Sequence, residues 1–497
     1  MNKEDIEKKI IEEKLKGLSD FEIGEKYKVS YKFIEKVFRK FYGVALSNLK
    51  EKKIKKIYPD KFEIENTTLW SFKNRGNWAT HSGEYRGNWS PYIPRNIILR
   101  YSFPGDTILD PFCGGGSTCI EAKLLRRKCI GVDINEKAVE LAKKNLEFEI
   151  DGLFPIYEPD IKVGDARNLW FIEDNSIDLI CTHPPYANAI YYTNKKEGDL
   201  SWLNIEEFLS EIKKVAKEFF RVLKPGKKCV FLIGDLRKKK YIIPLGFKVI
   251  DIFQKEGFLL KDLIIKRQHN CKTTGFWYEK SLKYNFLLLA HEYLPIFEKP
   301  FSKCLTEKEI IMETSETYLT NFKLKVKKKL SSLETTTLWI FPKEKFEENL
   351  NKNIIERYGP DKLYSIFYFL PNNQIIFNNS KKLKNGKISL LYIKILSEEI
   401  KEQKFLNFLI QRVFQESTNL KEKGYLAVHT KDIRTTTGIF PTGKEIVINF
   451  EKELPFLKLK EIIIASFYEN EEFTNILNNF KIVHSYILVF EKNAENN

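Results

Sequence analysis

Two periodicities of apolar residues divide the chain. Before position 58 they recur every three to four residues: Ile6, Ile10, Ile11 and Leu15, then Phe21, Ile23 and Tyr27, then Ile34, Val37, Phe38 and Phe41. That spacing predicts three short helices, the second capped by Ser19 or Asp20 and the third by Ser30. From Thr107 onward, short apolar runs alternate with helical patterns. Strands are expected at Thr107–Leu109, Lys128–Val132, Ile161–Val163, Ile177–Cys181 and Cys229–Gly234. Helices are expected from Ser117 or Thr118, over Glu136–Leu146 and over Ile205–Leu223. Tyr284–Ala290 and Tyr293–Phe297 read as a closing strand pair, and Pro94 as the start of a helix over Arg95–Tyr101. This βαβα order implies an α/β domain on a mainly parallel sheet with crossover helices.

Composition adds size and partner class. A chain of 497 residues with 43% hydrophobic content can bury large cores, which predicts two or three domains. No uncharged apolar run of about 18 residues occurs, and Met1–Lys16 alternates charges with isoleucines where a secretory signal needs an unbroken apolar core. A cytoplasmic protein with no membrane partner is therefore expected. The seven cysteines lack paired CxxC spacing and read as buried reduced thiols. His269, Cys271 and His291 are too irregularly placed for zinc, so no metal is expected. A net charge of +16 suits a polyanionic partner.

The densest chemistry lies at strand ends. TILDPFCGGGST, at Thr107–Thr118, empties an apolar strand through Asp110-Pro111 into three glycines and a helix, a turn whose backbone can approach a ligand closely. The next strand ends at Asp133, where a carboxylate can accept both hydroxyls of a ribose. The third reaches Gly164 and Asp165, and the fourth ends at Thr182-His183-Pro184-Pro185-Tyr186. The loop lacks the glycine spacing of a dinucleotide fingerprint, which makes NAD a poor fit. Packing accounts for Trp70, Trp78 and Trp89 in the aromatic stretch Asn66–Tyr101, and for Cys113 in the loop.

DPFCGGGST, GVD, VGDA and THPPY at successive strand ends resemble the S-adenosylmethionine-dependent DNA amino-methyltransferases, of cytosine-N4 or adenine-N6 type, over roughly Thr67–Lys299. The resemblance implies a Rossmann-like methyltransferase fold with S-adenosylmethionine as cofactor. By that likeness Asp110, Pro111, Phe112, Cys113, Gly114 and Gly116, with Ser117 and Thr118 behind them, would cradle its methionine end. Asp133 beside Ile134 would take the ribose hydroxyls and Asp165 beside Ala166 the adenine amine, and the Pro94 helix would be the cofactor-side helix. His183, Pro184, Pro185 and Tyr186 would act on the base. An exocyclic amine is a poor nucleophile because its lone pair is delocalised into the ring, so acceptors must draw it out of conjugation. The prolines remove competing N–H groups and let the Pro184 carbonyl serve as one acceptor, while Tyr186 offers a face to a flipped base. No Pro-Cys dipeptide, the usual nucleophile for methylation at ring carbon, occurs in the chain.

His183 departs from the serine, aspartate or asparagine usual at its position. A neutral imidazole can accept from the amine and a protonated one cannot. Thr182-His183 stands closer to the Thr-Ser-Pro-Pro-Tyr form of cytosine-N4 enzymes, which favours cytosine over adenine. Upstream, LSDFEIGEKYKVSYKFIEKVFRK resembles a helix-turn-helix module with Lys32, Lys36, Arg39 and Lys40 facing phosphates or groove edges, although Gly24 and Lys28 depart from the usual alanine and glycine. Double-stranded DNA and a cognate restriction endonuclease are the implied partners. An RNA base methyltransferase and a non-catalytic DNA-binding regulator are the alternatives.

The last third carries a weak internal repeat. TTLWSF at Thr67–Phe72 returns as TTLWIF at Thr336–Phe341, SIDLICTHPPY at Ser176–Tyr186 as ISLLYIKIL at Ile388–Leu396, VFLIGDLR at Val230–Arg237 as LAVHTKDIR at Leu426–Arg434, and HEYLPIFEK at His291–Lys299 as HSYILVFEK at His484–Lys492. No glycine-rich loop and no Pro-Pro-Tyr recur with them. The expected plan is a helix-turn-helix module at 1–57, a catalytic domain at 58–300, and at 301–497 a degenerate methyltransferase-like domain or, alternatively, an unrelated target-recognition domain.

Overall fold

A computed structural model describes residues 3–15, parts of 18–37, 54–301 and 333–493, less short internal stretches of which 270–280, 380–386 and 469–479 are the longest. The amino terminus forms α1 (Lys3–Leu15) and α2 (Asp20–Tyr27). Ile10, Ile23, Ile34 and Val37 bury together as a small separate core. Lys28 turns the chain after α2 with φ at +50°, the left-handed region that glycine enters more cheaply. Lys32, Lys36, Arg39 and Lys40 lie outside the described residues.

The next segment builds β1 (Leu69–Trp70), α3 (Tyr92–Tyr101), β2 (Thr107–Asp110), α4 (Ser117–Leu124), β3 (Lys128–Asp133), α5 (Glu136–Asn145), β4 (Asp160–Val163), β5 (Ile177–Thr182) and α6 (Ile205–Val222). It continues with β6 (Leu223–Phe231), the hairpin β7 (Leu236–Lys238) and β8 (Tyr241–Ile243), α7 (Leu245–Glu256), β9 (Leu259–Arg267) and β10 (His291–Glu298). One sheet results, in the order β1-β9-β10-β6-β5-β2-β3-β4. It is parallel throughout except at β10, which runs antiparallel to both neighbours. The central strand β5 is buried at every position, which is why Ile177–Cys181 is nearly all apolar. Asn204 and Glu207 form a reciprocal capping box for α6, whose Phe208, Ile212, Val215 and Phe219 are buried at helical spacing.

Several boundaries differ from the sequence expectation. Helix α3 starts at Tyr92, so Pro94 is its third residue; first-turn N–H groups have no intrahelical acceptor, and proline loses nothing there. Gly116, at φ +84°, takes the cap position of α4, and Ser117 and Thr118 are already helical. The strand expected at Cys229–Gly234 begins earlier, at Leu223. The strands beside β10 are β9 and β6 rather than Tyr284–Ala290, where Leu288 makes an isolated bridge to Thr336.

The second half repeats the plan. It comprises β11 (Leu338–Pro342), α8 (Phe346–Tyr358), β12 (Tyr364–Phe369), β13 (Ile375–Asn379), β14 (Ile388–Ile395), α9 (Gln403–Ser417), β15 (Leu420–Thr430), β16 (Ile433–Arg434), β17 (Ile439–Phe440), α10 (Thr442–Glu453), β18 (Leu457–Tyr468) and β19 (His484–Lys492). Its sheet order, β11-β18-β19-β15-β14-β12-β13, matches β1-β9-β10-β6-β5-β2-β3 strand for strand. The pairing directions agree except at the last pair: β2 and β3 are parallel, whereas β12 and β13 are antiparallel. A short turn replaces the crossover helix there, and strands joined by a tight turn must run antiparallel. Among the described residues, α4, α5 and β4 have no counterparts in this half.

The two halves pack reciprocally. Thr68 Oγ1 lies 2.9 Å from His484 Nδ1, and Thr337 Oγ1 lies 2.9 Å from His291 Nδ1. Arg237 binds Glu461 and the Lys460 carbonyl, as Arg434 binds Asp262 and the Lys261 carbonyl. Each half keeps a buried His–Tyr–Asp chain: His291–Tyr293–Asp235 at 3.2 and 2.9 Å, and His484–Tyr486–Asp432 at 3.0 and 2.9 Å. Contacts in which i meets j and j meets i define an isologous interface, the arrangement of a two-fold dimer, here within one chain.

Candidate active site

An open cleft of about 680 Å³ lies at the carboxyl ends of β2, β3 and β5, where an open parallel sheet holds its ligands. Asp110, Pro111, Phe112, Cys113, Gly114, Ser117, Asp133, Ile134, Asp165 and Ala166 line it, together with His183 and Pro185. Gly116, Thr118 and Pro184 are buried behind the wall, Pro94 is buried in α3, and Tyr186 stands behind His183. Asp165 reaches the cleft, but its carboxylate is clamped by Arg167, with Nη2 at 2.6 Å and Nε at 3.0 Å. The described residues lining the cleft include Asp110, Asp133, Asp165 and Asp199 and no lysine or arginine. In a chain of net charge +16 that is a local inversion, suited to a cationic, hydroxyl-bearing ligand and hostile to a phosphate.

The aromatic segment before β2 forms the opposite wall. Trp78 Nε1 and Arg95 Nη1 donate to the buried Glu121 carboxylate of α4 at 2.6 and 2.8 Å, with His81 Nε2 at 2.7 Å. Arg75 donates to the Asn88 carbonyl at 2.6 Å, and Asn88 Oδ1 accepts from the Gly115 amide at 3.2 Å. This close approach requires the glycines. A Cβ on Gly114, whose φ is +50°, would sit 2.9 Å from the Tyr85 ring, and one on Gly115 would sit 2.7 Å from Asn88 Nδ2. Tyr85, Asn88, Trp89, Tyr192 and Asp199 all line the cleft, and none was singled out for it from the sequence. The available signal was the density of aromatic and polar residues between Asn66 and Tyr101, which packing alone does not demand.

Burial pushes the Asp110 and Asp133 carboxyls up to about 6 each, against the hydrogen bonds that hold them down. Asp110 accepts from Thr182 Oγ1 at 2.5 Å and from the Phe112 amide at 3.2 Å; Asp133 accepts from the Gly114 and Asn135 amides at 2.9 and 2.8 Å. Two lone pairs of the Asp133 carboxylate remain for a ligand.

His183 joins this cleft to a second set of groups. Its ring stacks on Trp89, with centroids 5.7 Å apart and planes 22° apart. His183 Nε2 lies 2.8 Å from the Tyr186 hydroxyl, which donates to Glu292 Oε1 at 2.9 Å, and Lys266 Nζ donates to Glu292 Oε2 at 2.8 Å. Burial, with smaller contributions from Lys266 and Arg75, brings the His183 pKa down to about 4 against the opposing pull of Glu292 and the Gly87 backbone. Burial alone would raise the Glu292 carboxyl, but Lys266, His183 and Tyr186 hold it at about 2. Near neutral pH the imidazole is therefore uncharged beside a carboxylate. Neither Lys266 nor Glu292 was expected here from the sequence. His269, weighed above as a metal ligand, lies 2.9 Å from Ser71, and His291 bonds Thr337 and Tyr293. No group of metal-ligating side chains forms among the described residues.

The family model described as DNA methylase, of N6/N4 methyltransferase type, matches residues 14–144 and 177–365, together more than half of the chain. The chain belongs to the DNA methylase family. Its cofactor is S-adenosylmethionine, and the acidic cleft, with no lysine or arginine among its described lining residues, fits that sulfonium-bearing nucleoside. A second model, described as RMKL-like methyltransferase domain, matches residues 101–239. A tRNA (guanine(10)-N2)-dimethyltransferase of Methanothermobacter thermautotrophicus is 38% identical over 23% of this methylase and 33% of the relative. The type II beta methyltransferase M.BslI of a Bacillus species is 33% identical over 27% and 16%. The type II methyltransferase M.MjaI of Methanocaldococcus jannaschii is 29% identical over 27% and 54%. The methylase thus spans a third or less of the length of the first two and about half of the third. Among the described residues, no helix is long and apolar enough to cross a membrane.

Proposed function

We propose that this methylase transfers a methyl group to the exocyclic amine of a base in double-stranded DNA, at a specific site, with cytosine N4 favoured over adenine N6. One observation carries the reading: the uncharged imidazole of His183, beside Pro184, Pro185 and Tyr186, opens onto the acidic cofactor cleft. When bound there, S-adenosylmethionine supplies an electrophilic methyl whose carbon–sulfur electron pair stays with sulfur. Asp133 would accept the ribose hydroxyls, the loop from Asp110 to Gly116 would hold the methionine end, and Asp165, anchored by Arg167, would meet the adenine. The Pro184 carbonyl and His183 would draw the amine toward the cleft, and Trp89, stacked on His183, would bound the space for a base turned out of its duplex.

Residues 1–57 serve as the helix-turn-helix arm, 58–300 as the catalytic domain, and 301–497 as a degenerate methyltransferase-like domain that supports it. A cytoplasmic role opposite a cognate restriction endonuclease accords with the type II relatives. The tRNA-modifying relative, 38% identical over its matched stretch, favours a second reading in which the base belongs to RNA. Incubation with labelled S-adenosylmethionine and either duplex DNA or tRNA, followed by nucleoside mass spectrometry, separates them. The first reading requires N4-methylcytosine or N6-methyladenine from DNA; label confined to tRNA refutes it.

The raised Asp110 and Asp133 carboxyls also set a pH dependence. Both must be ionised to act as acceptors, so cofactor affinity should be constant above about pH 7 and weaken as pH falls through 6, by roughly tenfold per unit for each group that must lose a proton. Calorimetric titration between pH 5 and pH 8 reads it.

A further inference from the structure

The Lys266–Glu292 pair touches neither the glycine loop nor Asp133, yet it stands one hydroxyl away from the imidazole. We infer that Lys266 and Glu292 are positioning residues that act through Tyr186 to hold His183 with its proton on Nε2, leaving the Nδ1 lone pair uncommitted as the acceptor for the substrate amine. The inference rests on the proposed amine chemistry at this site and deepens it.

The protons available to the three groups fix the tautomer. Glu292, ionised and already accepting from Lys266, can offer Tyr186 only lone pairs. The single phenolic proton must therefore point at Glu292 Oε1, because turning it toward His183 would set oxygen lone pairs against each other at 2.9 Å. The phenolic oxygen is left as an acceptor at 2.8 Å from Nε2, so a neutral ring must carry its proton there. Nδ1 is buried and, among the described residues, has no hydrogen-bond partner. The Gly87 backbone favours a proton on the ring but forms no hydrogen bond to Nδ1. A buried acceptor left open is destabilising, and a donor arriving with the substrate would remove that penalty. As the amine gains its methyl, the nitrogen becomes cationic and must shed a proton, and Nδ1 is placed to take it.

The second half is an internal control. Across the first sheet the register aligns Trp70, Lys266 and Glu292 in one row; across the second it aligns Trp339, Ala465 and Ser485. The flanking His291 and Tyr293 are retained there as His484 and Tyr486, with the same hydrogen bonds. If Lys266 and Glu292 served only to knit the sheet, the half without a glycine loop would need them equally. They occur in the half that holds the cofactor cleft, and small side chains replace them in the other.

The test borrows the replacements that the second half already tolerates, Glu292→Ser and Lys266→Ala, in the full chain with 15N-labelled histidine. In the unmodified protein at pH 7 the His183 ring should show a bare Nδ1 and a protonated Nε2. Glu292→Ser should leave a mixture of tautomers and lower kcat at least tenfold while the dissociation constant of S-adenosylmethionine stays put. In Lys266→Ala the carboxylate remains but loses its counter-ion. His183, then facing Glu292 with Arg75 and Tyr186 as the other polar neighbours, should titrate at higher pH, and the acid limb of kcat should move toward neutrality by about one unit. A proton on Nδ1 in the unmodified protein, or an unchanged tautomer in Glu292→Ser, overturns the inference. Because the ring nitrogens are read without turnover, failure to methylate either nucleic acid would count against the proposed substrate and leave this result intact.

Discussion

Alanine at position 183 should lower kcat for methyl transfer by about 10²–10⁴-fold, the usual weight of one positioned proton acceptor. The dissociation constant of S-adenosylmethionine should change little, because the imidazole bonds to Tyr186 rather than to Asp110 or Asp133. Asparagine at 183 offers a carbonyl oxygen in place of Nδ1 and should recover part of the loss. Single-turnover rates at saturating cofactor, beside calorimetric affinities, make the measurement. Retention of full activity by the alanine variant would mean that the amine is held elsewhere.

The opposite pattern is expected of Asp133→Ala. Two hydrogen bonds from ribose to a charged acceptor are each worth about 1.5–3 kcal/mol, so cofactor affinity should fall by about 10²-fold or more while kcat at saturation stays close to normal. The Gly114 and Asn135 amides would lose their acceptor as well, which loosens the loop that the ligand must find already formed. Equilibrium binding of the cofactor alone reads this effect and requires no substrate. A loss of kcat with intact affinity would assign Asp133 to the chemistry instead of to the ribose.

The parts legible in the sequence were those whose function is local. DPFCGGGST, GVD and THPPY each place a chemical group within a few residues of a strand end, so the cleft floor could be assigned by number before its shape was known. The repeat was legible for the same reason, since each matched stretch is one strand with its own apolar period. What stayed hidden depends on distant partners. In β9, LLKDLIIKR, Lys261 and Asp262 break the apolar run, and the buried Asp262 finds its hydrogen-bonding cation in Arg434 of the other half. Without β9 the neighbour of Glu292 could not be known, and the route from Lys266 to His183 crosses three separate elements. Tyr284–Ala290 failed in the converse way: its apolar residues look like a strand, yet Leu288 docks beside Thr336 of the second half.

The reciprocal Thr–His and Arg–carboxylate contacts between the two sheets have a consequence for mass action. Partners in a separate dimer must find each other at cellular concentration, and dilution separates them. Here the polypeptide itself keeps the faces together, at an effective concentration on the order of millimolar. Neither the working half nor its thermal midpoint should depend on how much protein is present. The second half, which lacks the glycine loop and crossover helix among the described residues, is thus held against the half that carries the cofactor cleft whatever the abundance of the protein.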